Sequence, residues 1–156
     1  MDHQRARDLF EETRDAVEAC DRLDARRERL DAMDLSPTRP KAGTGGGDQD
    51  ARRLTDIRLE LEAQVAGAYA ERDALLNITA RILRGEDGAG GVASLLGQDA
   101  ADVLDLRYRR AAKWDVVAAY IGRSRRHCYR LRDVAFELTD YLGVERTIAG
   151  EARAVV

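Results

Sequence analysis

The chain has 156 residues, enough for one medium domain or a small domain with an extended arm and too few for most two-domain enzymes. It is 35% charged and only 5% aromatic, a balance that suits solvated helices with narrow apolar stripes better than one thick globular core. The net charge of −3 is unevenly distributed: from Arg107 to Arg132 nine basic side chains face a single aspartate, Asp115, so a segment of net +8 sits in an otherwise acidic protein.

Two cysteines, Cys20 and Cys128, have no paired spacing, which argues against a disulfide framework and for a reducing, cytoplasmic setting. No run approaches 18 apolar residues and no apolar leader follows Met1, so neither membrane insertion nor secretion is expected. No carboxylate pair, nucleophile with a base, or ligand cluster stands at suitable spacing, so neither catalysis nor a metal or other cofactor is expected.

From Asp2 to about Asp34, Ala6, Leu9, Thr13, Ala16, Cys20, Leu23 and Leu30 recur at steps of three and four, interrupted at Arg27. This heptad pattern predicts a long helix with a seam for a partner. Ser36 to Asp48 holds both prolines and four glycines and reads as a connector, within a loop placed at 36–50. Arg39 and Lys41 in it could touch DNA backbone. A second long helix is predicted from about Asp50 to Arg84, with Leu54, Leu61, Ala68, Leu75 and Ile82 one heptad apart and Ile57, Val65 and Ile78 in support. The expected fold is all-α: an antiparallel, coiled-coil-like helical hairpin over residues 1–84, then a C-terminal helix-turn-helix domain. The narrow seams also predict self-association as a homodimer. The glycines of Gly85–Gly91 are read as a linker that runs with a short helix to residue 98, ahead of a DNA-binding unit at 99–142 and a tail at 143–156. Six of the eight aromatic residues fall between Tyr108 and Tyr141, which places the expected compact core between about residues 100 and 142.

Within that unit, Trp114, Val117, Ala118 and Ile121 have helical spacing and are followed by Gly122-Arg123-Ser124. Glycine tolerates a left-handed end to one helix and serine caps the next, so these three residues predict a sharp helix-to-helix turn. In the helix beginning at Arg125, Cys128, Leu131, Ala135 and Phe136 form the expected inner stripe. Arg125, Arg126, Tyr129 and Arg130 then lie on the outer face. Arginine can donate twice to a guanine edge in the major groove, so these four are the expected base contacts on double-stranded DNA. Arg107, Arg109, Arg110, Lys113, Arg123 and His127 are the expected phosphate contacts.

The run Val103-Leu104-Asp105-Leu106-Arg107-Tyr108, then Trp114 to Ile121, then Gly122 to Leu131 resembles region four of bacterial sigma factors, over about residues 95–142. The whole layout resembles small phage and prophage proteins with a coiled-coil N-terminus, including late-transcription regulators of the ArpU type. That resemblance implies a promoter-reading helix-turn-helix and RNA polymerase as a further partner. The chain has no counterpart of the aromatic-rich sigma region that melts DNA. Two other functions fit a helix-turn-helix beside helical segments: a small terminase subunit for phage DNA packaging, and a polymerase-binding interaction module.

Overall fold

A computed structural model describes residues 5–34 and 47–151, and every regular element among them is helical. The order is α1 (Ala6–Asp34), α2 (Gly47–Arg84), α3 (Gly91–Leu96), α4 (Gln98–Leu104), a π-helical turn (Asp105–Arg109), α5 (Trp114–Ile121), α6 (Arg125–Leu142) and α7 (Val144–Ala149). The second long helix thus begins three residues earlier than the sequence pattern suggests. Arg39 and Lys41 lie outside the described residues. No helix among the described residues is long and apolar enough to cross a membrane.

The two long helices pack against each other in opposite directions, because residues rising along α1 meet residues falling along α2. Asp31 pairs with Arg58 at 3.5 Å, Arg27 with Glu62 at 3.8 Å, and Asp24 accepts a hydrogen bond from Tyr69. Buried Leu30, Leu61 and Val65 form an apolar cluster toward one end. The break in the heptad pattern at Arg27 is a polar layer in which its guanidinium reaches Asp24 at 3.3 Å and the Tyr69 hydroxyl at 3.4 Å. The side chains of Arg27 and Asp24 are partly exposed, so this polar layer adds little stability. Ile57, which the periodicity assigns to the seam, is instead 52% exposed.

The main core does not lie within residues 100–142 as the aromatic distribution suggests. It joins Ala6 and Phe10 of α1, Ile82 and Leu83 of α2, Val92 of α3, and Ala100, Leu104, Tyr108, Ala135, Phe136 and Ile148 of the C-terminal helices. Phe10 is at its centre, its ring 5.9 Å from Tyr108 and 5.6 Å from Phe136. Asp140 on α6 accepts the Ala6 backbone N–H at 2.7 Å, satisfying one of the free donors at the start of α1. Two of the three rings are C-terminal, and the third reaches Tyr108 from 98 residues away and Phe136 from 126.

The glycine-rich stretch after Arg84 is also no loose linker. Gly90 and Gly91 are buried, and a methyl group on Gly90 would stand 2.2 Å from the Ile148 carbonyl oxygen. These glycines let three backbones pass at a distance no side chain permits. The tail read at 143–156 contains α7, whose Thr147 and Ile148 are buried against this turn.

Candidate nucleic-acid interface

The segment from Val103 to Leu131 is organised by a second small core of Val103, Val117 and Cys128, with Leu106, Trp114, Ala118, Ile121 and Leu131 packed around it. α5 ends where Gly122 adopts φ 74° and ψ 31°, a left-handed conformation, and both the Gly122 and Arg123 N–H groups donate to the Ala118 carbonyl at 2.9 and 3.2 Å. α6 starts where the Ser124 hydroxyl accepts the His127 N–H at 3.1 Å. Both helix ends are closed by the residue types the sequence supplies.

Arg123, Arg125, Arg126 and Arg130 are exposed around this turn and the first turns of α6, with Lys113 exposed at the start of α5. Lys113, Arg123, Arg126 and Arg130 have no ion-pair partner among the described residues. Arg125 does, lying in a close ion pair with Asp115 of α5. His127 is half-buried, and Tyr129 is half-buried with its ring edge-on to Trp114 at 4.8 Å between centroids. Tyr129 is thus held between Trp114 and Arg132, whose guanidinium lies 5.1 Å from its ring centre.

Two of the expected phosphate contacts are turned inward. Arg107 lies 4.9 Å from the centre of the Trp114 ring and donates to the Ala112 carbonyl at 3.2 Å. Burial, and then the neighbouring Arg14, push its guanidinium below the ordinary arginine value. Arg109 pairs with Asp105 at 2.5 Å and donates to Thr79 Oγ1 and the Leu76 carbonyl of α2. Arg110 also pairs with Asp105, at 3.0 Å, but stays 69% exposed and able to reach outward. Both arginines lie on the π-helical turn, whose winding is wider than that of an α-helix. Ala111 has φ 55°, the one non-glycine residue with positive φ among those described.

The basic residues therefore divide into an outer set that faces solvent and an inner set that builds the scaffold. Arg132 belongs to the inner set, lying 5.3 Å from the Trp114 ring centre and 5.1 Å from that of Tyr129, and paired with Asp133 at 2.8 Å. Arg14 of α1 supports this scaffold from a distant part of the chain, where no sequence motif marks it. It donates to the carbonyls of Arg107 and Ala112, 93 and 98 residues away, and so holds the segment leading into α5. Burial pushes the thiols of Cys20 and Cys128 up, which keeps both in the unreactive protonated form.

The charges of α6 run against its own dipole. Its first turn carries Arg125 and Arg126 with no acid, and its later turns carry Asp133, Glu137 and Asp140. By contrast α1, α4 and α5 carry an aspartate in the first turn, and α2 carries Arg81 and Arg84 in the last. Cations at a helix N-terminus oppose the macrodipole by about 0.3–1 kcal/mol each, and among the described residues only Arg125 has an acid, Asp115, to offset it. An anion bound there would satisfy the free N–H groups and the arginines together. No protein-family model, curated protein or solved structure matches this chain.

Proposed function

We propose that this protein is a non-enzymatic, cytoplasmic regulator that binds double-stranded DNA sequence-specifically, with α5 and α6 as a helix-turn-helix. In this reading the arm of α1 and α2 carries a homodimer contact. The reversed charge of α6 supports it most directly: the helix forgoes favourable dipole interactions to present arginines where a polyanion would meet its first turn. Arg125, Arg126 and Arg130 are assigned to base edges and Tyr129 to a base or phosphate. Arg110, Lys113, Arg123 and His127 are assigned to the backbone. The resemblance to sigma region four and to ArpU-type phage regulators favours promoter DNA as the target and RNA polymerase as a further contact.

The test is selection of bound sequences from random duplexes, followed by affinity measurements at several salt concentrations. Arg126→Ala is expected to lose about 1–3 kcal/mol on the selected sequence and to relax one base preference. Lys113→Ala is expected to weaken selected and random DNA alike and to reduce the salt slope by about one. Equal losses on both DNAs for Arg126→Ala would remove its base-reading role. No salt-dependent retention of any duplex would favour the interaction module, and assembly into a large ring would favour a packaging subunit.

Asp115 gives a separate test. Because its carboxylate holds Arg125 in the free protein, Asp115→Asn is expected to release that guanidinium and raise affinity for random duplex DNA by about threefold to tenfold at low salt. Filter binding at two ionic strengths measures this, and an unchanged affinity would mean that the pair does not compete with DNA.

A further inference from the structure

At the end of the arm distant from the main core, a groove of about 430 Å³ opens between α1 and α2. Its walls include Leu30, Met33, Leu54, Ile57 and Leu61. Met33 and Ile57 are each 52% exposed, on helices whose other outward positions are mostly charged or small. Half-exposed side chains of this size beside an open apolar groove mark a surface that association would bury. The lips differ in sign: Arg26 and Arg29 line the groove from α1, and Glu60 lines it from α2. All three are exposed and have no ion-pair partner among the described residues.

We infer that a second copy of this chain covers this groove, with the two arms side by side and parallel. The charge pattern chooses both the occupant and its direction. A twofold axis parallel to the arm sets the basic lip of one copy against Glu60 of the partner subunit, and does so twice. A twofold axis across the arm would instead set arginine against arginine. The parallel arrangement makes a four-helix bundle in which α1 of each copy faces α2 of the other, and Ile57 and Met33 fill the shared groove. It also places both copies of α6 at the same end of the bundle. The association deepens the arm contact proposed above and rests on that part of the reading, whereas the value of the placement for reading two half-sites rests on the DNA-binding function.

The experiment is sedimentation velocity on the full chain without DNA, with circular dichroism to establish that each variant is folded. The wild-type protein is expected to be a dimer. Ile57→Glu, an exposed position in the single copy, is expected to weaken association by about 100-fold. Arg26→Glu with Arg29→Glu, or Glu60→Arg alone, is expected to weaken it by about tenfold. Combining the three reversals is expected to restore it to within about threefold, because the lips then exchange signs. A monomer at about 100 µM, or a dimer indifferent to Ile57→Glu, would overturn the surface. Failure of the triple reversal to restore association would overturn the parallel arrangement, and a ring of many copies would overturn the twofold. Loss of DNA binding with an intact dimer would fall on the DNA-binding function alone.

Discussion

Replacing Phe10 with alanine is expected to lower the free energy of unfolding by about 3–5 kcal/mol, more than any single arginine at the α5–α6 face. The ring is fully buried and meets Tyr108 edge-on, with an interplanar angle of 73°, while also touching Phe136. Tyr108 and Phe136 are themselves 5.6 Å apart, so the three rings form a closed set and removal of one leaves the other two facing a void. The neighbours that would have to collapse inward sit on α2, α3, α4, α6 and α7, elements held by their own contacts. Relaxation is therefore limited, which puts the cost in the upper part of the range for aromatic truncation. Urea denaturation followed by circular dichroism measures it. A single transition shifted by the full amount is expected for both the arm and the C-terminal helices. Two separated transitions, or a loss below about 1.5 kcal/mol, would mean that the arm does not share this core.

Gly91→Ala is expected to cost at least about 3 kcal/mol, from two sources acting together. The residue has φ +72°, where an L side chain is strained, and an added methyl would lie 2.4 Å from the Arg84 nitrogen and the Leu83 carbonyl carbon. Both contacts are backbone atoms at the end of α2, so no side-chain rotation relieves them. Gly88 makes the comparison clean: it has φ +83°, yet nothing lies within 4 Å of a methyl there. Gly88→Ala should cost only the conformational part, about 1–2 kcal/mol. Paired urea midpoints for the two variants test the difference, and equal losses would show that the turn is not packed as described.

How far the sequence could be read depended on the range over which each signal acts. Heptad spacing and the Gly122-Arg123-Ser124 turn are local, and they located α1, α2, α5 and α6 to within a few residues. The inner stripe of α6 was equally legible, with Cys128, Ala135 and Phe136 all buried. Other features depend on what lies across the fold. Glycine supports free rotation or close backbone approach, and at Gly90 only the Ile148 carbonyl, 58 residues later, distinguishes the two. The sign of Arg107 and Arg109 is visible in the sequence, but the carbonyls they reach, at Leu76 on α2 and at Ala112, are not. Asp115 likewise read as one acid among nine bases, without the ion pair that makes it a competitor for Arg125.

The sharing of Phe10 between the arm and the C-terminal helices has a mechanical consequence. With 29 residues, α1 is about 44 Å long, and its first turns are fixed in the same core as α6. A rigid rod clamped at one end is a lever: a tilt of 5° at the clamp displaces the far tip by about 4 Å over that length. The relation also runs backwards, so a modest force at the tip is delivered to the clamp multiplied by the arm's length. Anything that grips the distant end therefore holds a handle on the angle at which α6 is presented.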